Sequence, residues 1–314
     1  MKNMYLWATI VLMTLVACSN EDETAETNPL DYPADIHGTI KSYVPLGTTK
    51  SEIAQSVWAN GTAIGVTTAA GISDLSYVVT DDRNVKYVYD TEKDAFRVVN
   101  KEGEDHNIYF KGPYTMTMTA YAPYVGERGT LAGVISAKTT EDKQTADLQP
   151  TIDFLYAEGG GSQKNTKVEF LFSHKMALLV LMFKTGSGVQ MDNINYTLRN
   201  LTLDGTFDTS SGDITTGETM GNISMSLVKA DEMISPLILF PQTLTSASIL
   251  EVEMGGKTYA AVFETDTKMT SGSVYTFNVT IAPQAMTISP VIIEDWTVEE
   301  GDSHFGIAKD DAGN

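Results

Sequence analysis

Val274-Tyr275-Thr276-Phe277-Asn278-Val279-Thr280-Ile281 alternates strictly, with Tyr275, Phe277, Val279 and Ile281 on one face. Period two in β-branched and aromatic residues predicts a half-buried strand. Thr115-Met116-Thr117-Met118-Thr119-Ala120-Tyr121 repeats the pattern, with Met116, Met118 and Ala120 together. Met176-Ala177-Leu178-Leu179-Val180-Leu181-Met182-Phe183 is apolar on both faces. Eight residues suit a buried strand better than a helix, although periodicity alone does not separate the two. Turn pairs punctuate these runs at Asp204-Gly205, Ser211-Gly212, Gly255-Gly256 and Ser271-Gly272, where glycine supplies the positive φ of tight turns. Gly255-Gly256, between Ile249–Met254 and Lys257–Phe263, predicts a hairpin. Thr49-Lys50-Ser51-Glu52 fits a capping box and predicts one helical turn. From Ile36 onward the chain therefore reads as all-β, built as two sandwiches. The Gly-rich stretch Gly159–Asn165, near mid-chain, is read as the linker between them, ahead of a surface hairpin loop.

Composition narrows the function. The 314 residues include 21 basic and 41 acidic side chains, a formal charge of −20. So acidic a surface repels phosphate backbones and argues against nucleic-acid partners. One cysteine excludes a disulfide framework within the chain and a Cys-based zinc cluster. His37, His106, His174 and His304 are scattered, which argues against a His-rich metal site. No cofactor or metal is expected.

The amino terminus reads as an address. After Lys2, Met4–Ala17 is apolar apart from threonines and too short to span a core of about 30 Å comfortably. It predicts a signal peptide over residues 1–17. Leu15-Val16-Ala17-Cys18 resembles a lipobox, so the only cysteine, Cys18, is the expected lipid attachment site. The alternative is an ordinary secretory signal. Residues 18–35, with Glu21, Asp22, Glu23, Glu26, Asp31 and Asp35, predict an acidic tether.

Catalytic motifs are absent: there is no nucleophile elbow, zinc-protease helix, phosphate loop or EF-hand loop. His174 begins an apolar run. A catalytic role would need a nucleophile and an orienting acid that the sequence does not identify, so a structural histidine is expected. Asp81-Asp82 and Glu102-x-Glu104-Asp105 hold clustered oxygens of the type calcium takes, but are read as solvated loop acids. Most of the 14 tyrosines are expected in the core.

Several segments, in order, resemble the fimbrillin-like (Mfa-like) family of Bacteroidetes type V pilus subunits. They are Trp58-Ala59-Asn60-Gly61-Thr62-Ala63-Ile64-Gly65-Val66, Ala120-Tyr121-Ala122-Pro123-Tyr124, Asp153-Phe154-Leu155-Tyr156-Ala157 and Phe172-Ser173-His174-Lys175-Met176-Ala177. Leu239-Phe240-Pro241-Gln242, Gly272–Phe277 and Ile293-Glu294-Asp295-Trp296 follow. Thr62 stands where the family usually has Asp. The resemblance implies two tandem transthyretin-like β-sandwich domains, expected at 36–164 and 165–314. It also implies a lipoprotein exported to the outer-membrane surface and cut by a trypsin-like protease after an Arg that follows the first strand. Loss of that strand opens a groove for a strand of a neighbouring pilus subunit. Here residues 36–44 are the candidate first strand, and the cleavage position carries Lys50; the first Arg is Arg83, so the chain is expected either to be cut after Lys50 by a protease that accepts Lys or to stay uncut as an anchor or accessory lipoprotein. The chain is thus expected to be a non-enzymatic tip, stalk or anchor subunit, with other pilus subunits, the outer membrane and a surface ligand as partners. The alternative is a surface glycan-binding lipoprotein of a nutrient-uptake system.

Overall fold

The computed structural model describes residues 32–41, 57–68, 82–100, 105–110 and 115–295. Cys18, Lys50, the capping box at Thr49–Glu52, Asp81, Glu102, Glu104 and Trp296 lie outside them. Among the described residues the chain is all-β, interrupted by short 3-10 turns at Glu141–Lys143 and Gln149–Thr151.

The first half contributes β1 (Tyr32–Pro33), β2 (Asp35–Ile40), β3 (Ala63–Thr68), β4 (Val85–Asp90), β5 (Ala95–Val98), β6 (Tyr109–Phe110), β7 (Met116–Ala122), β8 (Val134–Lys138), β9 (Leu155–Gly161) and β10 (Lys167–His174). Seven of these close into a barrel in the order β10-β2-β5-β4-β3-β7-β9. The alternation in Met116–Ala120 is as expected: Met116, Met118 and Ala120 face the barrel core with Ile36, Ile64, Phe96, Phe170 and Phe172.

The second half contributes β11 (Ala177–Thr185), β12 (Ile194–Thr202), β13 (Asp204–Asp208), β14 (Ile214–Thr216), β15 (Met220–Leu227), β16 (Met233–Leu239), β17 (Thr243–Leu244), β18 (Ile249–Met254), β19 (Lys257–Val262), β20 (Thr267–Lys268), β21 (Ser273–Ile281) and β22 (Met286–Asp295). Two four-stranded sheets, β16-β11-β21-β22 and β15-β12-β18-β19, form a sandwich. Tyr275, Phe277, Val279 and Ile281 enter its core as the alternation requires. Gly255 and Gly256, with φ of +57° and +73°, make the β18–β19 hairpin.

The doubly apolar run explains itself once its neighbours are seen. Ala177, Leu179, Leu181 and Phe183 of β11 belong to the sandwich core. Leu178 and Val180, with Met176 just before the strand, belong to a third core, shared with Tyr121, Phe154 and Tyr156 from the first half. A strand covered on both faces has no polar side to keep. A small sheet, β14-β13-β8, also joins the halves, since β8 precedes the barrel's last strands in sequence and pairs with β13.

Two glycine readings are corrected. Gly159-Gly160-Gly161 is strand, not linker: it ends β9 and pairs with Met118, Thr117 and Met116 of β7. A Cβ at Gly159 would sit 2.9 Å from the Phe170 ring, and one at Gly160 2.7 Å from the Met116 carbonyl oxygen. Close packing, not flexibility, selects glycine there. The chain reverses at Ser162–Asn165, and β10 then returns to the barrel, so its hydrogen bonding continues past residue 164. Asp204-Gly205 is likewise the start of β13 rather than a turn; a Cβ at Gly205 would lie 2.6 Å from the Phe240 ring.

Candidate functional site

The barrel holds its first strand unequally. β2 runs parallel to β10 over six residue pairs, from Asp35↔Lys167 to Ile40↔Phe172. Towards β5 it has one pair, Ile36↔Phe96. Ile36 and Ile40 are buried, while Thr39 between them is exposed. Gly38 shares their inward face, and a Cβ there would meet the Phe172 ring at 2.9 Å and the Phe96 ring at 3.2 Å. Trp58 covers the strand: its Nε1–H donates to the Gly38 carbonyl oxygen at 2.7 Å. Its ring stands edge-on to Phe96 and Phe172, with centroids 5.1 and 5.0 Å away. Such pairs add about 0.5–1.5 kcal/mol beyond the area they bury. The result is an apolar slot lined by Val168, Phe170 and Phe172 of β10, Phe96 of β5 and Trp58, filled by the chain's own strand.

Where β10 passes into β11, the two halves meet over a shared core. His174, at the end of β10, and Asp153 are both almost fully buried. His174 Nδ1 lies 2.9 Å from both Asp153 carboxylate oxygens. The structure thus supplies the acid that the sequence does not identify, yet it seals the pair away from any substrate, as a structural histidine requires. Phe154 stacks on Phe207 at 4.7 Å. The Tyr156 hydroxyl donates to the Ser210 carbonyl oxygen at 3.0 Å, and Lys175 Nζ sits 5.2 Å from the Tyr156 ring centroid. Burial, then the carboxylate of Glu158, raises the Tyr156 phenol to about 12. The Tyr121 hydroxyl lies 2.8 Å from Asn84 Oδ1 and from the Val125 carbonyl oxygen. Burial raises its pKa to about 12, so it stays protonated. Asn84, buried at φ +48°, donates to the Val125 and Glu127 carbonyl oxygens. Sequence reasoning missed Asn84; only its family of turn-forming side chains hints at the conformation.

Of the calcium candidates, Asp82 and Asp105 lie among the described residues, and each has partners of its own. Asp82 pairs with Arg128 at 3.3 Å. Asp105 is held by the Asn107 amide groups and the Tyr109 hydroxyl. Among the described residues no three His, Cys, Asp or Glu side chains group as a metal site needs. Nor is any helix among them long and apolar enough to cross a membrane. Tyr32 is the aromatic residue left largely exposed among them, at 41%.

The fimbrillin-like family model matches residues 49–296. A candidate cell adhesion protein from Bacteroides ovatus is 36% identical, with a TM-score of 0.75 over 86% of this chain and 99% of its own. A second, from Bacteroides uniformis, is 22% identical, with a TM-score of 0.62 over 84% of this chain and 99% of its own, and shares the fold. Among curated proteins no match is found. With Trp58, Tyr121, Asp153 and His174 accounted for and the family matched across most of its length, the chain belongs to the fimbrillin-like family.

Proposed function

We propose that this chain is a pilus subunit that reaches the outer-membrane surface as a lipoprotein through Cys18 and joins its neighbours by strand complementation, in the service of adhesion. Its family is one of fimbrial structural proteins, which supports a pilus subunit at the cell surface. The observation that carries the finer reading is the seating of β2. It is bonded along one side over six pairs and along the other by one, and it fills a slot of aromatic side chains. Lys50 lies between β2 and Trp58 in sequence. A cut after Lys50 severs β2 from the barrel that holds it, and loss of the strand exposes Phe96, Phe170 and Phe172. Refilling such a slot is favourable: burying one Ile side chain contributes about 1.5–3 kcal/mol. A strand from another subunit supplies both the side chains and the main-chain hydrogen bonds. The join is head to tail, so it propagates rather than closes.

Material sheared from native cells, run on SDS gels with and without boiling, tests the reading. A boiling-sensitive ladder whose smallest band begins at Ser51 is expected. One band of full mature size in both lanes would overturn it. Among the described residues Tyr32 is the largely exposed aromatic side chain, which gives the glycan-binding reading no aromatic platform there.

A further inference from the structure

The sheet β16-β11-β21-β22 has β16 at one edge. In an antiparallel pair, alternate residues turn both main-chain polar groups away from the partner. On β16, Ile238, Pro236 and Ile234 share that phase, opposite Leu178, Val180 and Met182 of β11. An outward row of this kind is a template for another strand.

Here side chains occupy it. Gln144 Nε2 donates to the Ile238 carbonyl oxygen at 2.9 Å, and Gln144 Oε1 accepts from the Ile238 N–H at 3.0 Å. One carboxamide thus makes the two bonds that a neighbouring strand would make to that residue. Its remaining capacity is also used: Nε2 donates to the Thr139 carbonyl oxygen at 3.0 Å, and Oε1 faces Gln149 Nε2 at 3.4 Å. Gln149 Nε2 donates to the Pro236 carbonyl oxygen at 2.8 Å. Pro236 itself has no N–H to offer. Two of the three outward positions are therefore closed, one by a bidentate amide and one by an amide and a proline. Gln144 is 3% exposed and Gln149 9%, so neither is a solvated surface side chain. Both come from the connector between β8 and β9, a segment of first-half sequence lying on the edge of the second-half sandwich. On β15, the edge strand of the other sheet, the same connector places Glu141 Oε2 3.3 Å from the Ser224 N–H.

We infer that the connector carrying Gln144 and Gln149 is an edge guard: it stands in for a strand on β16 and so prevents a second copy of this chain from pairing there. The inference does not depend on the pilus reading, because the guarded edge belongs to the sandwich and not to the slot of β2. A polar, buried, fully bonded amide is costly to place unless every bond is made. It fills the edge without leaving a further edge exposed, as an added strand would.

Amide hydrogen exchange of the full chain by NMR, together with sedimentation velocity, tests this. In the wild type, Ile238 should exchange as slowly as Leu237 and Leu239, which face β11. Gln144→Leu keeps the volume and removes the bonds. It should speed exchange at Ile238 by roughly tenfold or more, leave Leu237 and Leu239 slow, and produce a concentration-dependent species absent from the wild type. Unchanged exchange at Ile238, or exposure of Ile238 without new association, would overturn the guard. Should Q144L fail to fold, two results still decide. Fast exchange at Ile238 in the wild type overturns the inference. So does a Gln144→Ala chain, which removes the same bonds without placing a new side chain there, if it shows neither faster exchange at Ile238 nor new association.

Discussion

β2 and β11 are both strands with a parallel neighbour, yet the chain uses them in opposite ways. β11 is held on both sides, by seven antiparallel pairs to β16 and eight parallel pairs to β21. Its two faces enter two different cores. β2 is shorter, is fully bonded along one side and buries one face. Removing β11 would dismantle the sandwich and the contact between halves together. Removing β2 would open one slot in a barrel that keeps its other ladders. The difference shows how a chain can have a replaceable part without being weak elsewhere: the replaceable strand contributes to a single core, and the permanent strand is shared.

Perturbing the permanent region should cost most. Asp153→Ala leaves the buried His174 Nδ1 without its carboxylate partner, at about 3 kcal/mol. Urea denaturation should show the loss as a lowered midpoint for the whole chain. Leu181→Ala, in the middle of β11, should cost about 2–5 kcal/mol by transfer and cavity together, in the same assay. Effects confined to a separate early transition would break the comparison.

At the replaceable strand the expected signature is local. Gly38→Val drives a side chain into the Phe172 and Phe96 rings, at about 1–3 kcal/mol of overpacking. Limited proteolysis should then release residues before Lys41 faster, while the main urea transition moves little. A shift of the main transition equal to that of Leu181→Ala would show that β2 is as integral as β11. The smallest effect should come from Arg199→Ala. Its pair with Glu251, 2.6 Å apart, lies on the sandwich surface, and solvent screens it. The urea midpoint should stay within measurement error.

Much of this was legible in the sequence. Strict alternation at Val274–Ile281 and Met116–Ala120 identified inward faces, and Gly255-Gly256 identified a hairpin, because period and positive φ are local properties. The doubly apolar Met176–Phe183 announced a strand covered on both faces, without saying by what. The glycines misled where their reason was distant. Gly159–Gly161 is narrow because Phe170 and Phe110 cross it, and Gly205 because Phe240 does; ring contacts of that kind leave no mark near the glycine. The partnership of His174 with Asp153 spans 21 residues, and Gln144 meets Ile238 across 94. Neither glutamine has a neighbour in sequence that marks it as a strand's stand-in.

The most direct test of the account is exchange at the slot itself. A full chain carrying a specific protease site after Lys50 would be nicked, mixed with a labelled peptide of residues 32–41, and run on SDS gels without boiling. The account predicts that the peptide is taken up into a band that loses its label on boiling, and that the same peptide carrying Gly38→Val is taken up far less. A nicked chain that never accepts the peptide, while its own strand stays bound or leaves the slot empty, would contradict it.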